Sequence, residues 1–338
     1  MSKENIRLVL PDVLKGLAVV LMIQVHVMEQ LVNPDLLESA FGKISLFLGG
    51  VPAAPVFMIV MGYFVGFTRA SSLGMVKRGL LLFAGGMLLN VLLNISYIIK
   101  FINSGYPELI YGSILGVDIL PLAGLSLIII GGIKKISWHP LFLLIIALLV
   151  AGMTPWINQM IDGWNTARYV TAFFGGTAEW SYFPLFPWLA YPLTGLALHA
   201  YGLQKWKLIP AWGKGLIMGF SLVGFILGLK MGFNVSTILP EYYHHNLVFY
   251  LWALSFMILL VYSISLMNFE SQPLRAAFLS FMGREVTLVY VIQWILIGNL
   301  AAWLGKQTLF AGHLAWTLSF ILVSALLAFV YRKMLSDK

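Results

Sequence analysis

Apolar residues fall into blocks of about twenty along this chain, separated by short polar punctuation, with blocks near 11–32, 50–68, 76–99, 110–133, 138–154, 180–201, 212–231, 246–267, 284–304 and 309–331. No block alternates with period two, so a β-barrel is excluded in favour of helices. A backbone in lipid must satisfy its own polar groups, which leaves a helix bundle as the remaining solution. The pattern therefore predicts an all-α, polytopic transmembrane bundle of about ten spans. Block 138–154 is short, and block 110–133 carries Asp118 and Pro121. Residues 33–49 and 155–179 are the long connections. The second is rich in Trp, Asn, Gly and Thr, as an ordered loop or re-entrant segment would be. With no internal repeat and no low-complexity tract, residues 1–338 read as a single integral membrane domain.

Composition sharpens this picture. Hydrophobic residues make up 60% of the 338 and charged residues 10%, with a mean hydropathy of +0.90. A soluble domain carries about 25% charge and has too much surface to hide so much apolar material. The net charge of +8 would suggest nucleic acid in a soluble protein. Here the retention of Lys and Arg in cytoplasmic loops explains it, and no nucleic-acid partner is expected. With the N-terminus inside, the inner side holds 16 of the 21 basic residues, and Lys43, Lys100, Arg168, Lys230 and Lys306 fall outside. That bias predicts cytoplasmic N- and C-termini for a multi-pass protein of the cell membrane. The basic lead before the first block is not followed by a convincing A-x-A site, so that block is read as an uncleaved first helix. The chain has no cysteine, which excludes disulfide and thiolate chemistry.

Ionisable residues at membrane depth are costly, at least about 2.5 kcal/mol each, and mark function. The first block carries Asp12, Lys15, Gln24, His26 and Glu29. Asp12 and Lys15 are spaced to pair on one helix face near the inner edge. His26 and Glu29 share that spacing in the outer half. A carboxylate beside an imidazole fixes its tautomer and raises its basicity, as a general base requires. The plainer alternative is a buried histidine bonded to a carbonyl. No metal set is evident, since no other histidine has ligand spacing with His26.

Asn90, Asn94, Asp118, Glu179, His244 and His245 are placed by the same count in the outer half or at the outer surface. A water-accessible cavity open to the outside would explain them together. Helix–helix hydrogen bonding is the alternative for the two asparagines, and a solvated loop pair for the two histidines. Arg69, Lys77, Arg78 and Arg284 lie on the inner side and can bind phosphates. Positive-inside bias and contact with anionic membrane lipid account for such residues equally well. The ninth block, with Arg284, Glu285, Gln293 and Asn299, is expected to face the protein interior. Prolines and glycines in the second and sixth blocks (Pro52, Pro55, Gly62; Pro184, Pro187, Pro192, Gly195) point to cavity-lining backbone, making these two the expected pathway walls.

Four segments resemble membrane-bound acyltransferases of the acyltransferase-three and heparan-alpha-glucosaminide N-acetyltransferase-like families. They are RLVLPDVLKGLAVVLMIQVH (Arg7 to His26), APVFMIVMGYFVG (Ala54 to Gly66), FPLFPWLAYPLTGLALHAYG (Phe183 to Gly202) and MGREVTLVYVIQW (Met282 to Trp294). The resemblance implies transfer of an acyl group, acetyl above all, from cytosolic acyl-coenzyme A to a hydroxyl or amine. The acceptor would be a glycan or a small molecule on the far side of the membrane. It implies catalytic roles for His26 as base and for Asp12 as the motif acid, with Arg78 and Arg284 near the coenzyme A phosphates. The polar residues at membrane depth extend this expected site: Glu29 beside the base, Arg69 and Lys77 with the phosphate-binding arginines, and Asn90, Asn94, Asp118, Glu179 and Gln293 toward the substrate. No metal is implied, and a homodimer is an admitted assembly. The sequence departs from the family pattern in three places. Lys15 stands for the usual arginine, Gln293 for a late histidine, and residues 33–49 hold no histidine. Either His26 takes the basic role or acyl transfer has been lost.

Two functions follow. In an enzyme, His26 would deprotonate the acceptor while Asn90, Asn94 or a backbone amide stabilised the oxyanion, a role worth about 3–4 kcal/mol. In a proton-coupled transporter of a small solute or lipid-linked glycan, the same His, Asp and Glu would carry protons, and inverted repeats would be expected.

Overall fold

The computed structural model describes residues 9–104, 110–134, 136, 138–164, 167–202, 205, 208–267 and 276–336. Of the basic residues counted for orientation, Lys3, Arg7, Lys135, Lys207, Arg275 and Lys338 lie outside the described residues. The longer helices are α1 (Val9–Leu31), α2 (Ala40–Gly50), α3 (Ala54–Val65), α4 (Ser72–Leu93), α5 (Ile95–Ser104), α6 (Ile119–Ile133) and α7 (Pro140–Asp162), followed by α8 (Ala190–Tyr201), α9 (Ala211–Thr237), α10 (Leu247–Ser265), α11 (Ala277–Arg284), α12 (Val286–Leu304) and α13 (Phe310–Ser336). Among the described residues there are eight candidate membrane spans, with α2 and α3 forming one of them, Ala40–Val65. The chain is an all-α polytopic bundle.

Every predicted span contains a helix, but two are short. α6 starts only at Ile119, because Asp118 caps it, its Oδ1 accepting from Ile119 N at 2.6 Å. α8 starts at Ala190, after a bend at Phe186 to Pro187 that includes a cis peptide bond. The expectation that 33–49 is a connection is corrected. A short helix, Pro34–Glu38, leads into α2, whose start is capped by Ser39 Oγ accepting from Gly42 N at 3.2 Å. α4 and α10 start on similar caps, from Ser71 to Gly74 N and from Asn246 to Val248 N and Phe249 N. The connection expected at 155–179 is helical to Asp162, where α7 ends.

Three seams of small residues bring helices together, as membrane helices do when lipid offers no hydrophobic drive. A Cβ at Gly16 would strike the Leu279 carbonyl, and one at Gly283 the Asp12 carbonyl, which locks α1 against α11. Gly79 and Gly124 face each other between α4 and α6. Gly62 lies on Pro192 and Gly195 on Ile59, which locks α3 against α8. This third seam overturns an expectation. The second and sixth blocks reach the cavity only at their ends, through Gly50, Ala54, Tyr182 and Phe183, while their interior forms a dry pair with Pro55, Met58, Tyr191, Pro192 and Leu193 all buried. Their glycines serve close approach.

The far end of α1 is tied by backbone bonds. Thr308 N donates to Leu31 O at 2.9 Å and Asn33 N to Thr308 O at 3.1 Å. α12 faces inward as expected, and Asn299 stitches the break between α4 and α5. Its Oδ1 accepts from Ser96 N and Oγ, both at 2.9 Å, while its Nδ2 donates to Leu92 O at 2.8 Å and Ile295 O at 2.9 Å. The outer faces of α9 and α13 expose Phe220, Leu227, Leu318 and Leu322, surfaces suited to lipid tails.

Candidate active site

A cavity of about 440 Å³ opens between α1, α4, α5 and α12. α1 contributes Met22, Val25, His26, Glu29 and Gln30, spaced by three and four residues on one face, while α4 contributes Asn90, Leu93 and Asn94. The segment before α6, a short helix (Ile110–Ile114) and the turn after it, adds Ser113, Gly116 and Asp118. Aromatic walls come from Tyr97, Tyr182, Tyr243, Tyr290 and Trp294. Five of the sequence-predicted residues, His26, Glu29, Asn90, Asn94 and Asp118, are thus brought to one space.

His26 is held from α12. Its Nδ1 lies 3.1 Å from Gln293 Oε1, and its ring stacks on Trp294 with centroids 3.9 Å apart at 29°. Nε2 has no partner among the described residues. The expectation that Glu29 steers the ring is corrected. Gln293 takes that contact, because α12 crosses directly behind α1 here while Glu29 lies a turn further along its own helix. Gln293 itself is fully buried and is not a lining residue, which corrects its expected contact with substrate.

Asp118 accepts at Oδ2 from Tyr290 OH at 2.7 Å, so it ties the start of α6 to α12. The asparagines are also committed. Asn90 Nδ2 donates to Ile114 O at 3.2 Å and Gly116 O at 2.7 Å. Asn94 Nδ2 donates to Asn90 O at 2.9 Å and Ser113 O at 3.3 Å. Each amide has only two hydrogens. The expected oxyanion role is therefore corrected: both residues shape the wall by holding the segment at 113–116.

The remaining assignments fall elsewhere. Asp12 pairs with Lys15 at 2.9 Å, fourteen residues before His26 and so about 21 Å away along α1. It anchors the other end of that helix rather than joining the base. Glu179 is exposed beside Trp180 and is not among the lining residues. Arg69 precedes α4 and Lys77 and Arg78 lie in its second turn, with Arg78 donating to Thr68 Oγ1 at 3.3 Å. Arg284 lies instead with Arg332 and Lys333 in a separate surface depression, where Arg332 Nε pairs with Glu285 at 2.6 Å. None of the four lines the cavity.

His245 is not a solvated loop residue. It is buried, its Nδ1 lies 2.7 Å from Tyr242 O and its Nε2 2.9 Å from Tyr191 OH. Burial lowers its pKa to about 3 and that of His244 to about 4. The site residues that sequence reasoning left out, Tyr290 and Trp294, flank Gln293 at helical spacing on the interior face of α12, and that spacing is the signal the sequence carries for them.

Compared with known families, residues 7–227 match heparan-alpha-glucosaminide N-acetyltransferase, catalytic, which is about two thirds of the chain and ends within α9. No curated protein and no solved structure matches the chain. The family match favours the enzyme over the transporter. With a membrane bundle, a histidine-bearing cavity and this match, the chain belongs to the heparan-alpha-glucosaminide N-acetyltransferase catalytic family and is a membrane-spanning acetyltransferase.

Proposed function

We propose that this chain moves acetyl from cytosolic acetyl-coenzyme A to an amine or hydroxyl of a glycan on the outer side of the cell membrane, with His26 as the general base. The observation that carries this reading is the placement of His26, with Nδ1 engaged by Gln293 and Nε2 free in a cavity of about 440 Å³. Nε2 takes the acceptor's proton as its nitrogen or oxygen attacks the thioester carbonyl. The carbon–sulfur bond breaks, and the protonated ring returns a proton to the departing thiolate. Glu29, on the same face of α1, offsets the positive charge that His26 carries between these steps.

Two basic helix ends suit the nucleotide part of the donor. Arg78 lies in the second turn of α4, twelve residues, about 18 Å, from Asn90 in the cavity wall. Arg284 lies nine residues before Gln293, about 14 Å along the α11–α12 line. The sidedness rests on the excess of Lys and Arg toward those ends. The aromatic wall of Tyr97, Tyr182 and Tyr243 suits the apolar face of a sugar ring.

The test is transfer of labelled acetyl from acetyl-coenzyme A by purified protein to glucosamine and to amino-sugar oligosaccharides. His26→Ala should lower the rate at least about 100-fold, the scale of general-base catalysis. Full activity in that variant would remove His26 from the reaction.

A further inference from the structure

The interior face of α12 lies outside the residues matched by the family, so nothing but geometry assigns it. Gln293 has two polar atoms and both are used. Oε1 meets His26 Nδ1 at 3.1 Å, and Nε2 donates to Tyr290 O at 3.2 Å. An amide's two ends are told apart by their partners. A backbone carbonyl can only accept, so the end beside Tyr290 O must be the NH2 group. The end beside His26 is then a carbonyl, which also only accepts. Two acceptors cannot face each other, and Nδ1 must carry the hydrogen. In the neutral ring the lone pair is then on Nε2, the nitrogen that has no partner among the described residues.

The rest of α12 holds this arrangement in place. Trp294 stacks on the imidazole and sets its plane. Tyr290, whose carbonyl orients Gln293, is itself pinned by its hydroxyl to Asp118 at 2.7 Å. Gln293 has no exposed surface, so no water replaces either bond.

We infer that Gln293 is the positioning residue of the acetyl transfer, holding His26 as the Nδ1–H tautomer so that Nε2 alone is the base. The inference rests on the reading of His26 as that base. A neutral amide does this differently from a carboxylate. It fixes the tautomer but stabilises the imidazolium less than a carboxylate would, which leaves the ring a weaker base than a carboxylate partner would make it.

The decisive measurement is nitrogen NMR of purified protein labelled with 15N-histidine, in which protonated and unprotonated ring nitrogens resonate far apart. Wild type should show His26, assigned by its loss in His26→Ala, with Nδ1 protonated and Nε2 bare. Gln293→Leu should populate both tautomers and lower kcat about 100-fold, with KM for acetyl-coenzyme A unchanged. Gln293→Glu, which still accepts from Nδ1, should keep the tautomer and restore most of kcat. Its carboxylate should also move the acid limb of the pH–rate profile to higher pH, because a negative partner favours the charged ring. A wild-type ring protonated at Nε2 would overturn the inference, as would a Gln293→Glu profile that does not move. If Gln293→Leu fails to fold, the wild-type spectrum and Gln293→Glu still decide. A His26→Ala enzyme of full rate beside an Nδ1–H wild-type ring would instead sink the base assignment and leave the tautomer lock standing.

Discussion

Two helix pairs in this bundle show opposite uses of the same membrane interior. α3 and α8 meet through Gly62 on Pro192 and Gly195 on Ile59, with their facing surfaces buried and apolar. α1 and α12 meet through His26, Gln293 and Trp294, and a cavity opens in front of the ring. Glycine and proline mark the first pair, and polar side chains at helical spacing mark the second. A small residue lets backbones touch and so removes space. A polar side chain in lipid must find a partner or water, so it marks where space is kept.

The comparison can be broken by a single Cβ. Gly195→Val should push α8 off the Ile59 carbonyl, which is main chain and cannot swing aside. Overpacking of this kind costs about 1–3 kcal/mol or more. This substitution should have the largest effect: little folded protein recovered in detergent, with a sharply lower Tm for what remains. A normal Tm would mean that α3 and α8 are not in contact. A smaller effect, confined to turnover, is expected at the other pair. Glu29→Gln should lower kcat about tenfold through the lost charge beside His26, while the tautomer of the ring and Tm stay as in wild type. A changed tautomer would return to Glu29 the steering role assigned to Gln293.

The smallest effect is acid sensitivity. Burial holds His245 at about 3 and His244 at about 4, below the ordinary value of about 6.5 for an unfolded chain. The unfolded state therefore binds more protons between these values, and stability falls as pH drops from 6.5. Above about 7 it should be flat. His245→Phe should flatten part of the slope in a Tm-against-pH series. An unchanged slope would show that this ring is reached by water.

These contrasts also show what a one-dimensional reading can hold. The all-α membrane bundle was legible, because run length and hydropathy are local properties. So was the gathering of His26, Glu29, Asn90, Asn94 and Asp118, since counting outward along each span gives depth. Depth is not contact, however. Which residue meets His26 Nδ1 depends on how α12 crosses α1, 267 positions away in sequence, and no spacing rule reaches that far. The asparagines show a second limit. They do line the cavity, but their donors are spent on carbonyls of a neighbouring segment, 113–116, and of Asn90 itself, whose paths only the fold reveals. The inward face of α12 could be read from Gln293 and Asn299. The dry seam could not, since proline and glycine serve both an opened backbone and a tight crossing.

The ties at the two extremities of α1 carry a mechanical consequence. Gly16 and Gly283 clamp one end against α11, and Thr308 brackets the other between Leu31 and Asn33. A rod gripped at both tips neither slides nor tilts, so His26 sits on a stationary anvil. The facing wall is fastened in its turn, since Asn299 of α12 bonds Leu92 on one side of the α4–α5 break and Ser96 on the other.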